Sequence, residues 1–229
     1  AYEIRNCDWS SDVCSSDLIV YASDRMEASE LVSYEGLADP RWADRLCLRS
    51  AKKVYNQSLV ATLIASHGEA EAERIVAGWV ANLALPPFSN DTKVMEAINS
   101  GQCDVGIVNT YYYGRLLAQS SGLALAIFWP NQTGQAPLNR GVHINVSGGG
   151  VTRYAPQPEA ATALLSWLSG SEAQGLFAGL NQEYPIHPEL PLTPEVAAWG
   201  ELRADDVNLA VVGELQATAI RLMDRAGYL

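Results

Sequence analysis

Four tyrosines follow two apolar segments of the chain, and their type and spacing are the strongest chemical signal in it. Three of them, 111–113, come directly after segment 103–109, and Tyr55 comes shortly after segment 45–49. A phenol has a pKa near 10, and the dipole of a helix N-terminus contributes only about 0.3–1 kcal/mol toward its ionisation. A highly charged cation displaces phenolic protons at neutral pH, because its own field dominates the site. The pattern therefore favours a hard metal ion that prefers oxygen ligands.

The elements that must position these tyrosines are short β-branched segments that alternate with amphipathic ones, which predicts an α/β fold. The predicted strands cover 19–22, 45–49, 103–108, 123–128 and 141–146, and the predicted helices cover 53–66, 69–83, 92–100, 111–119, 158–168, 171–180 and 206–226. Ligands of open α/β sheets bind beyond the carboxyl ends of the strands, where Tyr55, Tyr111 and Tyr112 are expected. Alternatively, these tyrosines are core or rim residues that bind nothing, and the sequence pattern alone does not distinguish the two possibilities.

Two polar residues stand where the helices after these strands should begin. Asn109 is expected to cap the helix that carries the three consecutive tyrosines, and Ser50 is expected to cap the helix that carries Tyr55. Both side chains can accept hydrogen bonds from the first free N–H groups of a helix.

The composition excludes two classes of function. The 229 residues include 26 acidic and 15 basic side chains, a net charge of −11, so a basic surface for nucleic acid is not expected. No apolar run approaches the roughly 18–20 residues that a membrane-spanning helix needs. The expected partner is therefore small or cationic.

Catalytic motifs are weak in this chain. The histidines, His67, His143 and His187, are predicted near a helix end, in a strand and in a Pro-rich loop, and their spacing suggests no Cys–His or Ser–His–Asp arrangement. The chain has no GxGxxG, P-loop or HExxH motif. These observations favour a binding protein over an enzyme.

Residues 1–18, AYEIRNCDWSSDVCSSDL, differ from the rest of the chain. They hold four acids, one base and two of the four cysteines, with no period of 2 or 3.6 residues and without the features of a secretory signal. Residues 14–18 can be encoded by the end of a common sequencing adapter. We therefore expect residues 1–18 to be a non-native tail, fused to a coding sequence that starts in mid-strand at Ile19. A natural disordered tail is the alternative.

Three stretches carry a specific similarity, with N-T-Y-Y as its most specific element: RLCLRSAKKVYNQSLVA, PPFSNDTKVMEAINSGQCDVGIVNTYYYGR and LNQEYPIHP. They resemble the ferric-iron-binding proteins of bacterial ABC importers, a branch of the type II periplasmic solute-binding proteins. The similarity runs from about residue 19 to the C-terminus. It implies an α/β fold with two lobes and an extracytoplasmic protein that carries Fe(III).

The resemblance implies a ligand set of three phenolates for Fe(III): Tyr55, Tyr111 and Tyr112. It implies supporting roles by hydrogen bonding or anion binding for three polar residues: Ser50, Asn56 and Asn109. Tyr113 is expected to be structural. Three phenolates balance the charge of Fe(III) and leave coordination positions for water or for a synergistic anion, carbonate or phosphate.

The implied mechanism is hinge closure around the metal, followed by delivery to an ABC permease in the inner membrane. The implied protein is periplasmic, monomeric and not an enzyme. That compartment is oxidising, and two cysteines lie on predicted strands of one sheet, so Cys47 and Cys103 are expected to form a disulfide, with two buried thiols as the alternative.

The chain departs from the family pattern at its start. A strand with a further Tyr or His ligand and an anion-binding Arg would precede residue 19, so the first lobe is predicted to be incomplete and iron binding to be weaker. The predicted organisation is a tail at 1–18, a remnant of the first lobe and hinge at 19–32, a second α/β lobe at 33–140, a return hinge strand at 141–150 and a helical part of the first lobe at 151–229.

Two other functions stay open. A solute-binding protein for another ligand, an organic cation or an oxyanion, would use the tyrosines for stacking or hydrogen bonding. A transferase on a similar fold would need a positioned nucleophile or a basic cleft, and the sequence suggests neither.

Overall fold

The computed structural model describes residues 14–146, 148–187 and 189–229, and it has the predicted mixture of strands and helices. The strands are β1 (Cys14–Ala22), β2 (Leu46–Cys47), β3 (Val105–Asn109), β4 (Leu125–Phe128) and β5 (Ile144–Val146). The helices are α1 (Val54–His67), α2 (Glu69–Ala81), α3 (Asp91–Asn99), α4 (Thr110–Gln119), α5 (Pro158–Leu168), α6 (Ser171–Asn181), α7 (Pro194–Ala197) and α8 (Leu209–Arg225). The short helix α7 was not predicted.

Strand β1 is the centre of a five-stranded mixed sheet. It pairs antiparallel with β3 on one side and with β4 on the other, and its first residues pair with β5. Strand β2 adds to β3 in parallel. The helices that follow β2 and β3 therefore leave the sheet at the same edge, which brings their first turns together.

Strand β1 begins at Cys14, well before the predicted start at residue 19. The earlier residues include Ser16 and Asp17, which are polar but only 1% exposed, so a hydrophobic pattern cannot reveal them. The origin of residues 1–18 stays a prediction, and residues 1–13 lie outside the described part of the chain.

Alternate residues of β1 face two hydrophobic layers, as the period of 2 in a strand requires. Ile19 and Tyr21 lie in a layer with α1, α2 and α8, whereas Leu18 and Val20 lie in a layer with α3 and α4. The sheet is therefore covered on both faces, and this rigid core holds the strand ends that precede the tyrosines.

Two features hold β2 against β3. Cys47 in β2 and Cys103 just before β3 form a disulfide with their Cα atoms 6.0 Å apart, a spacing typical of native disulfides. Gly106 pairs with Cys47, and a Cβ atom there would lie 2.7 Å from the Cys47 carbonyl oxygen and 2.7 Å from Val94 Cγ1. Only glycine allows β2 and α3 to approach β3 this closely.

The C-terminal helix α8 packs against α1 and α2, and its Leu222 and Met223 are buried in the same layer as Leu59 of α1. Helix α8 thus packs on two helices that lie within the lobe predicted over 33–140. Helices α5 and α6 pack against each other, and α5 has no buried residue. The predicted division into lobes stays a prediction. None of the described helices is long and apolar enough to cross a membrane.

Candidate metal centre

The two strand–helix junctions meet at one cavity of about 640 Å³. Helices α1, α4 and α8 and strand β5 contribute most of its lining. The polar residues of the lining are Tyr55, Ser58, Asn109, Tyr111, Tyr112, Arg115, Asn145, Glu183 and Gln216. The structure thus brings the three predicted ligands to the same cavity, and their role as ligands stays a prediction.

The local structure explains why these tyrosines meet. Helix α4 begins at Thr110, directly after β3, so Tyr111 and Tyr112 lie in its first turn. Helix α1 begins at Val54, and Tyr55 is its second residue. Because β2 and β3 are parallel neighbours, both first turns lie beyond the same edge of the sheet.

The phenol groups are packed together and partly buried. The rings of Tyr111 and Tyr112 have their centroids 4.3 Å apart and are tilted by 34°. Burial raises the pKa of the Tyr111 phenol well above its ordinary value, the nearby Tyr112 hydroxyl and Asp91 raise it further, and Arg49 lowers it. The Tyr55 hydroxyl is buried and has no hydrogen-bond partner in the described part of the chain. Tyr111 is therefore neutral at physiological pH, and the hydrogen-bonding capacity of the Tyr55 oxygen is unused among the described residues.

Arg49 is a residue of this site that the sequence reasoning missed. Its side chain is buried, and its Nη1 donates a hydrogen bond to Asp91 Oδ1 at 2.9 Å. Its Cζ lies 4.6 Å from the centroid of the Tyr55 ring and 5.4 Å from that of the Tyr112 ring, so one cation contacts both tyrosines. Arg49 ends the predicted strand 45–49, and a basic residue at the buried end of a strand is the signal that would have found it, because buried charges need partners.

Two buried carboxyl groups lie behind the cavity. Asp91 Oδ2 accepts a hydrogen bond from the Asn109 backbone N–H at 3.0 Å, and burial raises the pKa of Asp91 to about 6 despite the charge of Arg49. Asp17 accepts hydrogen bonds from the side-chain amides of Asn109 at 3.3 Å and Asn145 at 3.2 Å. Burial and the charge of Asp91 raise the pKa of Asp17 to about 8. Asp17 is therefore mostly protonated at neutral pH, and Asp91 balances Arg49.

The prediction that the Asn109 side chain caps α4 is wrong. Asn109 occupies the position before the helix, but its side-chain oxygen accepts no hydrogen bond from the first N–H groups of α4. Its Nδ2 donates to Asp17, which orients the amide group. Its Oδ1 is buried and has no partner among the described residues. Asn109 itself belongs to the cavity lining.

The prediction that Ser50 caps α1 is also wrong. Lys53 occupies the position before the helix, and Ser50 Oγ accepts a hydrogen bond from the Lys52 backbone N–H at 3.3 Å. Asn56 Nδ2 donates to the carbonyl oxygens of Arg49 and Ser50, at 3.1 and 2.9 Å. Neither Ser50 nor Asn56 belongs to the cavity lining, so both support the loop that precedes α1.

A serine, a histidine and an aspartate meet beside the cavity, although their spacing did not suggest it. His143 Nε2 lies 3.1 Å from Ser58 Oγ and 3.8 Å from Asp17 Oδ2, and its Nδ1 lies 3.2 Å from Thr62 Oγ1. A catalytic triad needs the carboxylate on the ring nitrogen opposite the serine, whereas here both approach the same nitrogen. Burial also lowers the pKa of His143 to about 3, which makes the imidazole a weak base. The arrangement is not that of a catalytic triad.

The phenol groups of the lining are oxygen donors of the kind that a hard cation prefers. Among the described residues, no group of three or more His, Cys, Asp or Glu side chains could hold a metal ion. Tyr113 packs away from them, buried and edge-on to Trp199 with ring centroids 6.0 Å apart. The cavity is much larger than a bare ion, which leaves room for a second ligand of the metal.

Comparison with known proteins gives the family of this chain. The family described as bacterial extracellular solute-binding protein matches residues 4–199. The chain belongs to this family. The solute-binding protein is 41% identical over 217 residues to iron uptake protein A2 of Synechocystis sp.. It resembles the structure of Trichodesmium IdiA (FutA) in complex with iron and citrate ligands, with a TM-score of 0.88 and 39% identity. It also resembles apo ferric ion-binding protein A of Pasteurella haemolytica, with a TM-score of 0.87 and 29% identity.

These matches cover nearly all of this solute-binding protein but only part of its relatives. The match to the Synechocystis protein covers 92% of this chain and 62% of the relative, so the chain spans less than two thirds of that relative's length. The structural matches cover 96% of this chain and 70% of the Trichodesmium chain, and 100% of this chain and 72% of the Pasteurella chain. Over the part that the chain spans, the predicted type II solute-binding fold is confirmed.

Proposed function

We propose that this solute-binding protein captures Fe(III) in the periplasm and delivers it to an ABC permease of the inner membrane. The observation that carries the proposal is that Tyr55, Tyr111 and Tyr112 reach one cavity from two adjacent strand–helix junctions. The names of the relatives support it, since they describe iron uptake and ferric-iron binding. The protein is proposed to act as a monomer and to catalyse no reaction.

Three phenolates neutralise a trivalent ion and leave part of its coordination sphere open. The remaining positions go to water or to an oxygen-donor anion such as carbonate, phosphate or citrate, and the cavity of about 640 Å³ has space for it. Arg115 lines the cavity, and its Cζ lies 5.2 Å from the centroid of the Tyr111 ring. Its positive charge can attract such an anion. The Fe(III)–anion complex is therefore the proposed cargo.

A titration with ferric nitrilotriacetate tests the proposal. Binding should produce a visible tyrosinate-to-iron charge-transfer band that saturates at one equivalent of metal. Tyr55→Phe and Tyr111→Phe should weaken or abolish the band, whereas Tyr113→Phe is the matched control because Tyr113 packs on Trp199. A wild-type protein without such a band at micromolar concentration overturns the proposal, and it then favours an organic cation or an oxyanion as the solute.

We further propose that α5 and α6 belong to the first lobe of a longer protein. Four apolar side chains of these helices are between 45% and 80% exposed: Leu164, Trp167, Leu176 and Leu180. A cluster of this kind is usually covered in a soluble protein. Hydrogen exchange of α5 and α6 should slow when this chain is extended to the length of its relatives, and equal exchange in both proteins would contradict the assignment.

A further inference from the structure

Arg49 is held in one place by contacts on several sides. Its backbone pairs with Phe88 in a parallel bridge, and its carbonyl oxygen accepts a hydrogen bond from the Tyr228 hydroxyl at 2.6 Å. Its guanidinium is 2.9 Å from Asp91 Oδ1, and both side chains are almost fully buried. Arg49 Nε has no hydrogen-bond partner among the described residues. The ion pair with Asp91 therefore holds the guanidinium in place, but Nε makes no hydrogen bond in the described part of the chain. The guanidinium also contacts two aromatic rings.

Those rings are two of the three proposed ligands. Tyr55 comes from α1 and Tyr112 from α4, and both ring centroids lie within about 6 Å of Arg49 Cζ, the range of a cation–π contact. A cation over the face of a phenol fixes the ring plane and leaves the hydroxyl free at the ring edge. Both tyrosines line the cavity, and the Tyr55 hydroxyl has no other partner in the described residues.

We propose that Arg49 is a positioning residue for the metal ligands. By contacting both rings, it holds Tyr55 and Tyr112 in fixed positions in the lining of the same cavity before the metal arrives. This inference rests on the proposed function. The cation also favours the loaded state, because a phenolate ring carries more negative charge than a phenol ring and Arg stays charged at any relevant pH.

Arg45 provides a matched control on the same segment of the chain. Its Cζ lies 5.0 Å from the centroid of the Trp42 ring, and its Nε is 2.7 Å from Asp104 Oδ2. Arg45 thus makes the same two kinds of contact, cation–π and ion pair, but neither Trp42 nor Asp104 lines the cavity. A general effect of losing an arginine from this segment would appear in both positions.

Two variants remove the positioning contacts in different ways. Arg49→Met combined with Asp91→Asn removes the cation without leaving a buried carboxylate unpaired. Arg49→Lys keeps a positive charge beside Asp91 but has no planar group to span both rings. In each variant the Fe(III) affinity should fall about tenfold to a hundredfold, because two ligand side chains must then be ordered when the metal binds, and the charge-transfer band should change in wavelength. Arg45→Met should change neither quantity.

The outcomes separate this inference from the proposed function. A wild-type protein without a charge-transfer band removes the proposed function and the inference together. If both Arg49 variants keep the band wavelength and the Fe(III) affinity of the wild-type protein, the positioning role alone is overturned. Crystal structures of the metal-free proteins give a readout that needs no iron: the rings of Tyr55 and Tyr112 should change orientation in the Met–Asn variant, and unchanged rings contradict the inference.

Discussion

Loading this cavity with Fe(III) should release three protons per metal ion. Each of Tyr55, Tyr111 and Tyr112 must become a phenolate to bind, and metal binding to a protonated group releases its proton. Burial raises the pKa of Tyr111 above the ordinary phenol value, so that proton is present until the metal displaces it. Between about pH 6 and pH 8 the logarithm of the binding constant should therefore rise by three per pH unit, which is about a thousandfold.

Competition with nitrilotriacetate at several pH values measures this slope, after correction for the chelator's own protonation in protein-free titrations. Tyr55→Phe should lower the slope from three to two, because one proton fewer is displaced. Tyr113→Phe should keep the slope of three, because Tyr113 packs on Trp199 outside the cavity lining. A wild-type slope of one or less, or equal slopes for wild type and Tyr55→Phe, would refute the three-phenolate site.

Three further predictions concern stability. Replacing Cys47 and Cys103 with alanine should lower the free energy of unfolding by about 2–4 kcal/mol, because the disulfide links residues 56 positions apart; an unchanged urea midpoint would contradict this. Gly106→Ala should cost about 1–3 kcal/mol in urea unfolding, since its Cβ would press on the Cys47 carbonyl oxygen, whereas Gly175→Ala has open space and should cost nothing. The pKa of Asp17 is raised to about 8 in the folded protein, so the native state binds more protons than the unfolded state below that pH. Stability should fall by up to about 1.4 kcal/mol per unit between about pH 6.5 and pH 8, and Asp17→Asn should remove that slope.

Much of the fold was predictable because the signals are local. Helix α3 follows Asn90, whose side chain accepts a hydrogen bond from the Lys93 backbone N–H at 2.9 Å, and α1 is followed by Gly68, whose φ of 80° suits glycine. From the apolar spacing between such signals, the bounds of most helices and strands were predicted to within a few residues of those in the structure. The convergence of Tyr55 with Tyr111 followed from the same reasoning, since parallel strands deliver their helices to one edge of the sheet.

The rest depends on partners that are distant in the sequence. Arg49 and Asp91 are 42 residues apart, so their ion pair exists only after β2 and α3 meet. Asn109 has the residue type of a helix cap, but its side-chain amide donates a hydrogen bond to Asp17, which is 92 residues away. The first half of β1 is polar, and its burial comes from β5 and β3 rather than from its own composition. Local pattern cannot anticipate these tertiary choices.

The bond between Cys47 and Cys103 also bears on the shape of the cavity. Each cysteine stands eight residues before a cavity tyrosine, Cys47 before Tyr55 and Cys103 before Tyr111. The cross-link therefore joins the two segments that carry these tyrosines. Its reduction should let the two segments move apart, so a reducing solution should alter the cavity as well as the free energy of unfolding.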